Sequence, residues 1–597
     1  MGIASEAPYP VGTSPVGGSD AESPSILGAI RSMDDLRSTL RVYQSEAVDA
    51  KTAIESRWDL AQKAFDGDWD THWANFKFEP EWTRQDAHTL NLFRQAVGVT
   101  LPILLSSRPT LYVSALNPDQ DEASIKIQDY LQGLTEESDL VGDLTKVYRD
   151  ALVRGFGCMK VFWDNSTFQT ATPFGINAYG RPRMCYLNPY SFFVDPNAEK
   201  LDDSRYILLR NCLEGDVIEE RYGVSKLDYS KMEREDTGKR RRMIGKTPVS
   251  TQHDRYFVWE CFHEWGRRLT IYSRDEILYD GPNPMPYNKF PVVVFTPEER
   301  DEEIYGYSWW DGGGKELHEQ INYWLWKINC YMHMVGNPQW LHIGAGTLEP
   351  DTKPGGIWRL KNATPQTGDV RPLAIPPFPT FAMSMLQFYI KRWELLTGVT
   401  PTLQGAREPG VRSGIQQQQA MAASQTVVEN AVGSFAISLA KAGQMLLDLI
   451  THNAGGQMSS AQVYGEKARR AQVSGDDLRS FDGTPHEFRV LIGPNTDLPM
   501  DQNMINQLTA MLVPMGAVDT EGALSATRYP YRRGILERMR QAALSAHAEA
   551  AQQTAAAGIQ AQLLAPEMQQ GPNTEQSQGD AVNLLGSLMS MQEQPMQ

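Results

Sequence analysis

The chain has 597 residues, of which 41% are hydrophobic and 22% charged, and its formal net charge is −17 at pH 7. A chain of this length is too long for one hydrophobic core, so we expect several structural regions. The acidic balance excludes a protein whose main task is tight, non-specific DNA binding, because that task needs a basic face, but it allows DNA to slide past a surface that does not hold it.

The cysteines and the hydropathy of the sequence indicate the compartment and whether a segment could span a membrane. The five cysteines are scattered singly with no CxxC pair, which predicts neither a disulfide framework nor a zinc site and favours a reduced compartment. The N-terminal residues lack the basic and apolar regions of a signal peptide, and the most apolar stretch, residues 96–105, is about half the length that spans a bilayer. We therefore expect a soluble protein with no membrane segment.

The first half of the chain is typical of an α+β body. Residues 1–24 are rich in Gly, Pro and Ser and are expected to be disordered. Apolar residues three and four apart predict a helix over 30–65 and one long helix over 123–154, which Gly155 stops. Short runs rich in β-branched and aromatic residues then predict strands, at 159–163, 184–187, 205–209, 255–262, 268–272 and 277–280.

The next segments alternate between helices and a turn-rich insertion. Helical spacing over 315–335 ends at Gly336, where a Gly- and Pro-rich stretch begins. This stretch runs to residue 379, and helical spacing resumes over 381–396. The order predicts two helices that enclose a compact insertion of about forty residues.

The longest helical segment begins near Ser413, where Gln416 three residues later completes a capping-box pattern. About forty residues keep helical spacing, which makes a rod of roughly 60 Å. Gly433 and Gly443 lie inside it, lower its local stability and allow a kink. A strand, three helical pieces and a Gln- and Met-rich tail follow, at 487–492, 503–512, 521–527, 533–557 and 561–597.

No catalytic motif in the sequence is complete. Residues Gly312–Lys315 have the wrong spacing for a phosphate-binding loop and no Ser or Thr after the lysine, so these glycines are expected to form a hinge that opens a helix. His263-Glu264 and His318-Glu319 begin like the zinc motif HExxH but lack its second histidine. We therefore expect no catalytic residue, no metal site and no cofactor.

Several short sequence motifs are informative when they are taken together. They are Asn188–Ala198 (NPYSFFVDPNA), Tyr305–Trp310 (YGYSWW), Gln320–Asn322 (QIN), Leu396–Gly405 (LTGVTPTLQG) and Arg412–Gln416 (RSGIQ). These motifs, and the order helix, insertion, helix, loop, very long helix across roughly residues 30–550, resemble the portal proteins of tailed bacteriophages, especially short-tailed ones.

The resemblance implies an α+β, portal-type protomer in a ring that commonly has twelve copies. The ring would form a channel for double-stranded DNA at one capsid vertex, without enzymatic activity of its own. The protomer would have an α/β wing, a two-helix stem, a small α/β clip, a long tunnel helix and a helical crown. Carried over to this chain, the regions are an N-terminal tail (1–24), a wing (25–311), stem helices (312–335 and 380–397), a clip (336–379), a tunnel loop (398–412), the long helix (413–456), a wing return with a strand (457–499), a crown (500–560) and a C-terminal tail (561–597).

The same resemblance implies the partners. They are DNA in transit during packaging and ejection, the terminase large subunit, the major capsid or scaffold protein, and adaptor or tail proteins. The expected location is the portal vertex of the virion, with the host cytoplasm as the site of assembly and no membrane association.

Aromatic side chains on the predicted helix 315–335 exceed what one core stripe requires. Tyr323, Trp324, Trp326 and Tyr331 are therefore candidates for the interface between ring subunits. The alternative is that this helix packs inside a monomer.

Positive residues near the predicted channel are candidates for passing contacts with phosphates. Arg407 and Arg412 belong to the Gly- and Pro-rich loop that the resemblance makes the tunnel loop. Lys391 and Arg392 on the second predicted stem helix are weaker candidates. The alternative for Arg407 and Arg412 is that both are solvated surface charges.

Two other classes of protein remain open on the sequence alone. A terminase or nuclease would carry a phosphate-binding loop or a cluster of metal-binding carboxylates, and neither is visible. A capsid scaffold protein without a channel would lack the pair of helices and the insertion between them.

Overall fold

A computed structural model gives the fold of the chain, which divides into two compact units, Met1–Ile505 and Asn506–Gln597. The residues that the structure describes are 33–67, 83–84, 87–106, 111–117, 120–172, 175–224, 227–234, 254–343, 351, 353–360, 369–401, 414–453, 459–463, 469–473, 475–478, 487–492, 509–514, 523 and 538. In the second unit, residues 509–512 are helical.

Helices and strands alternate along the first unit. The helices are α1 (Met33–Asp66), α2 (Leu92–Ser106), α3 (Asp121–Glu137), α4 (Leu140–Arg154), α5 (Gly215–Tyr222), α6 (Lys315–Gly336), α7 (Thr380–Thr397), α8 (Gly414–Asn453) and α9 (Gly475–Leu478). The strands are β1 (Leu111–Ala115), β2 (Gly157–Thr172), β3 (Gly175–Leu187), β4 (Phe192–Val194), β5 (Ile207–Glu214), β6 (Glu233–Arg234), β7 (Arg255–His263), β8 (Arg268–Ser273), β9 (Glu276–Pro282), β10 (Val292–Phe295), β11 (Trp340–Ile343), β12 (Ile357–Leu360), β13 (Asp369–Pro372), β14 (Ser459–Val463), β15 (Arg469–Val473) and β16 (Phe488–Ile492).

The described strands pair mainly with antiparallel neighbours. The largest sheet has the order β4-β5-β7-β8-β9, with β6 beside β7, and a second sheet has the order β10-β2-β3. A small sheet, β12-β11-β13, contains a parallel pair, β11 with β12. The pairs β1-β16 and β14-β15 complete the set. Mixed helices and strands confirm the α+β class that the sequence predicts.

Helix α1 and strands β2 to β10, which together we call the sheet body, contain the largest buried side chains. Leu36 and Leu40 of α1 are buried in one cluster with Phe193 and Trp259 of the largest sheet. Further along α1, Trp58 is buried in a second cluster with aromatic residues of the sheets and the turns between them. The apolar positions three and four apart therefore place one face of α1 on the sheets, as the helical spacing predicts.

A buried ion pair joins the two sheets of the body. Lys160 on β2 and Glu260 on β7 are both almost completely buried, and the Lys160 Nζ atom lies 2.9 Å from Glu260 Oε2. The amide of Asn211 on β5 donates a hydrogen bond of 2.9 Å to the other carboxylate oxygen. Both charges are therefore compensated inside the core, which burial requires.

The 40-residue helix α8 supports both the sheet body and the pair β1-β16. It continues through Gly433 and Gly443. A Cβ atom at Gly443 would lie 2.9 Å from side-chain atoms of Leu111 and Val490, whereas one at Gly433 would meet nothing within 4 Å. Gly443 therefore allows the β1-β16 pair to approach the helix closely, a packing role that the sequence did not reveal.

The prediction of one long helix over 123–154 is wrong. The structure has two helices there, α3 and α4, separated at Ser138 and Asp139. Ser138 has an extended backbone and its hydroxyl donates to the Leu134 carbonyl oxygen, while the Asp139 carboxylate accepts from the backbone N–H of Gly142. These two residues end one helix and begin the next, because each offers backbone groups a local partner.

Most other predicted elements within the described residues are confirmed. The helices predicted over 30–65, 315–335 and 381–396 are present with ends shifted by a few residues, and Gly155 ends α4 with a left-handed φ of 77°. The predicted strands are also present. Several predictions lie outside the described residues, namely the tails, the cap at Ser413 and most of the helical pieces after residue 500.

Candidate assembly surfaces

Helices α6 and α7, which we call the helix pair, leave the body through a glycine-rich turn. Residues Trp310–Gly314 form a single π-helical turn directly before α6, and Gly313 has a φ of 95°. A Cβ atom on Gly314 would lie 2.1 Å from the Trp309 carbonyl oxygen. The glycines are needed here for backbone conformation and close packing, so this segment opens a helix as the sequence predicts.

The base of the helix pair is anchored in a hydrophobic cluster. Trp310 and Trp393 are both buried there with Phe93, whose ring centroid lies 5.3 Å from that of Trp310. On α6, the Asn322 side chain accepts a 2.7 Å hydrogen bond from the backbone N–H of Leu90. Apolar packing and this polar contact therefore fix α6 to the rest of the unit at its first turns.

Farther along α6, two aromatic side chains hold segments that cross the helix. The indole N–H of Trp326 donates a 2.8 Å hydrogen bond to the carbonyl oxygen of Thr83. The Tyr331 hydroxyl donates a 2.9 Å hydrogen bond to the carbonyl oxygen of Pro376, and the Tyr331 ring lies 4.9 Å from that of Phe378. The Pro-rich segment 373–379, which we call the strap, is therefore tied to α6 on its way from the small sheet to α7.

One face of α7 carries large apolar side chains that the chain leaves exposed. Phe381, Phe388 and Leu395 are 60%, 48% and 67% exposed. They are seven residues apart, so they form one stripe along a helix with 3.6 residues per turn. Ala382 and Trp393, which are buried, lie on the other side of α7. Apart from an edge contact between Phe381 and Trp324 of α6, the stripe is therefore an apolar face beyond the one that α7 uses to pack in its own chain.

The four aromatic residues predicted for a ring interface differ in their environments. Trp326 is buried within the chain, which agrees with the alternative that the sequence left open for this residue. Tyr323, Trp324 and Tyr331 are half-buried, and the Trp324 ring meets the exposed Phe381 edge-on at 6.3 Å. The interface itself stays a prediction, since these positions come from one copy of the chain.

The positive residues predicted to line a channel fall in two groups. Lys391 and Arg392 are exposed on α7, and the Arg392 guanidinium lies 5.2 Å from the centre of the Phe388 ring. Arg407 and Arg412 lie outside the described residues. The sequence identified the charges but missed the stripe beside them, although its spacing of seven residues is a readable signal.

Among the described residues, no three His, Cys, Asp or Glu side chains are grouped so that they could hold a metal ion. Burial raises the pKa of the Cys158 and Cys261 thiols well above the usual range, so neither is a ready nucleophile at neutral pH. Of the helices that the structure describes, none is both long and apolar enough to span a bilayer.

Comparison with known proteins identifies the family. No curated protein matches the chain. A family model described as phage P22-like portal protein matches residues 67–584. The match begins at the end of α1 and covers the sheets, the helix pair, the small sheet between its helices, and α8. Because it includes far more than half of the sequence, the chain belongs to the phage P22-like portal protein family.

Proposed function

We propose that this phage portal protein works as a closed ring of twelve copies with a bore for double-stranded DNA. Portal family membership implies a ring oligomer that meets the capsid and the terminase, and a structural rather than a catalytic role. The observation that carries the proposal in this chain is the exposed stripe Phe381, Phe388 and Leu395 on α7. Soluble proteins rarely leave such apolar faces uncovered, so a neighbouring copy is their expected cover.

The spacing of the stripe supports a helix as the neighbour. An apolar residue at every seventh position suits two helices that cross at about 20°, because this spacing keeps the same face turned to the partner. Met332 and Val335 on α6 are also large, apolar and exposed. A ring in which α7 of one copy meets α6 of the next would cover both sets.

The regions of the protomer follow the family order. In this proposal the sheet body belongs to the wing (25–311 and 457–499), and the helix pair forms the stem (312–335 and 380–397). The small sheet belongs to the clip (336–379), which docks the terminase large subunit during packaging and adaptor or tail proteins afterwards. The tunnel loop is 398–412, the long helix is 413–456, and the crown is 500–560.

The bore guides DNA without holding it. Lys391, which is exposed on α7, and Arg407 and Arg412 on the tunnel loop would touch phosphates in passing. Arg392 lies against Phe388 of the stripe, so it would reach phosphates only from the edge of the subunit interface. Each such contact is modest and is screened by salt, and the net charge of −17 opposes a tight complex. The driving force for packaging comes from ATP hydrolysis by the terminase, which is a separate protein. The ring sits at the capsid vertex of the virion after assembly in the host cytoplasm.

The test is the mass and shape of the purified assembly. Native mass spectrometry should give a closed oligomer of twelve copies, and end-on electron micrographs should show a central hole. A monomer with ATPase activity would favour the terminase alternative and end the proposal. A large assembly with no hole would favour a scaffold protein.

A further inference from the structure

An apolar pocket lies on one flank of α6, near the end that leads to the small sheet. Its volume is about 350 Å³, and its wall is almost entirely apolar. The α6 side of the pocket is formed by Cys330, Tyr331 and Met334, and the strap forms the other side through Pro376 and Pro377. The pocket is open on one side, so a side chain from outside the chain can enter it.

The pocket has fixed walls. The hydrogen bond from the Tyr331 hydroxyl to the Pro376 carbonyl oxygen holds the strap against α6, and prolines restrict the strap backbone further. The hydrogen bond from the Trp326 indole fixes Thr83, which also lines the pocket. A pocket with pre-formed walls binds an apolar group without the entropic cost of ordering its own walls.

Met332 lies at the same level of α6 as the pocket but on the opposite flank. It is two residues from Cys330 and two from Met334, and two residues turn an α-helix by ~200°. The side chain of Met332 is 60% exposed, one of the largest exposures of an apolar side chain on α6. The helix therefore carries an apolar projection on one side and an apolar pocket on the other, at one height.

Cyclic symmetry makes this arrangement informative. In a closed ring each copy is related to the next by rotation about one axis, so equivalent residues keep the same height along that axis. A side chain that fills the neighbour's pocket must then be level with the pocket of its own chain and on the opposite flank. Met332 meets both conditions when α6 runs along the axis.

We infer that the Met332 side chain of each copy occupies the pocket of the next copy around the ring. This inference rests on the proposed function, because it requires a ring with the helix pair around the bore. The chemistry fits, since methionine is unbranched and flexible and fills irregular apolar spaces well. A contact between different surfaces of identical copies gives a ring or a filament rather than a two-fold dimer, and it closes into a ring when the rotation between copies is a whole fraction of a turn.

The pocket contains its own reporter, because Cys330 carries a thiol and is not part of a disulfide. In the full-length Met332→Cys variant, the new thiol of one copy would lie beside Cys330 of the next. Oxidation, or a short bis-methanethiosulfonate crosslinker, should then give a ladder of covalent oligomers up to the whole ring on a denaturing gel. The wild-type protein and the double variant Met332→Cys/Cys330→Ser should give no ladder.

A control uses another exposed residue of the same helix. Gln320 is ten residues from Cys330, or ~15 Å along α6, so Gln320→Cys can reach Cys330 neither within its own chain nor at the level of the pocket and should give no ladder. A ladder that survives Cys330→Ser, or one that Gln320→Cys gives equally well, would overturn the inference. A ladder that depends on Cys330 in a Phe381→Cys variant, with none from Met332→Cys, would show that α7 of a neighbouring copy fills the pocket instead.

Native mass spectrometry of the same samples before crosslinking separates this inference from the proposed function. Rings without a Met332→Cys ladder would refute the pocket contact and leave the portal ring intact. Samples that contain no ring would refute both. Rings with a ladder that depends on Cys330 are the expected result.

Discussion

The sheet body and the helix pair belong to one chain, but they differ in how far their apolar and charged side chains are buried. In the sheet body, Trp259 and Phe262 are fully enclosed, and the charges of Lys160 and Glu260 are buried as a pair. In the helix pair, by contrast, Phe388 and other large apolar side chains are exposed, although the base of the pair is well packed. The comparison indicates that the interior of the sheet body is closed within one copy, whereas α7 carries a continuous apolar stripe of the kind that a partner covers.

This difference separates two measurable quantities. Substitutions inside the sheet body should lower the free energy of unfolding of the protomer, whatever its state of assembly. Substitutions on the exposed faces of the helix pair should leave that free energy nearly unchanged and should alter the fraction of protein in the ring.

The largest effect is expected at the ion pair between the sheets. Replacing Lys160 by Met leaves the Glu260 carboxylate buried without its cation, which should lower the free energy of unfolding by about 3–5 kcal/mol. Urea denaturation followed by tryptophan fluorescence measures this change. As a control, Lys146→Met removes an ion pair with Asp143 that is partly exposed, at 49% for the lysine, and should cost less than about 1 kcal/mol. Equal costs for the two variants would show that the interior of the sheet body is not as enclosed as its geometry indicates.

The next effect is a loss of stability in acid that depends on His263. Its ring is buried, bonded to the Thr270 hydroxyl and close to the Arg268 guanidinium, and burial followed by that positive charge lowers the pKa of His263 to about 4. The unfolded chain therefore binds a proton at this residue between about pH 6.5 and pH 4 and the folded chain does not. Stability rises with pH in that window, and acidification from pH 7 to pH 4 should cost roughly 2–4 kcal/mol through this group.

A His263→Gln variant tests this acid sensitivity. Glutamine keeps a group that can bond Thr270 but does not titrate, so the variant should lose less stability than the wild-type protein between pH 7 and pH 4. Denaturation curves at half-unit pH steps give the difference. Above pH 7 the two profiles should run parallel, and parallel profiles at low pH as well would rule out His263 as the source.

A smaller effect is expected from two glycines in α8. Gly443→Leu forces a side chain against Leu111 and Val490 and should cost about 1–3 kcal/mol. Gly433→Ala places a methyl group in open space and should stabilise the helix by up to about 1 kcal/mol. Thermal unfolding of both variants measures the contrast, and a destabilising Gly433→Ala would mean that this position packs against something that a single copy does not contain.

Apolar spacing was sufficient to predict the helices, because a helix that packs on a sheet must keep one apolar face. The same spacing failed at Ser138 and Asp139, where it continues from Leu134 to Val141 across the break between α3 and α4. There the decisive signal was polar: two adjacent residues that can cap helix ends. Capping residues inside an apolar pattern therefore deserve equal weight with the pattern itself.

The candidate surfaces were harder to predict than the fold. The surplus of aromatic residues on α6 predicts a ring interface there, which stays a prediction, and one of the four residues, Trp326, is buried in its own chain. The sequence could not distinguish the face of α7 that packs within its own chain from the stripe that includes Phe388 and Leu395, because both faces are apolar. Only the positions of the neighbouring elements separate them. Seven-residue spacing could have flagged the stripe, but it does not reveal whether the stripe is covered.

The smallest change in protomer stability is expected from a substitution in the stripe. This substitution tests most directly whether the helix pair, unlike the sheet body, has a surface that a partner covers. Leu395 is 67% exposed, so Leu395→Glu should change the free energy of unfolding by less than about 0.5 kcal/mol. In a ring, the same glutamate would lie against apolar side chains of the next copy, and removing its carboxylate from water is costly even with Arg392 three residues away on the same face of α7. Native mass spectrometry should therefore show a folded protomer with few or no rings. Gln387→Glu adds the same charge at an exposed polar position of α7 and should leave assembly intact. Rings that persist in Leu395→Glu would mean that the stripe faces solvent or the bore, and that the copies meet through other surfaces.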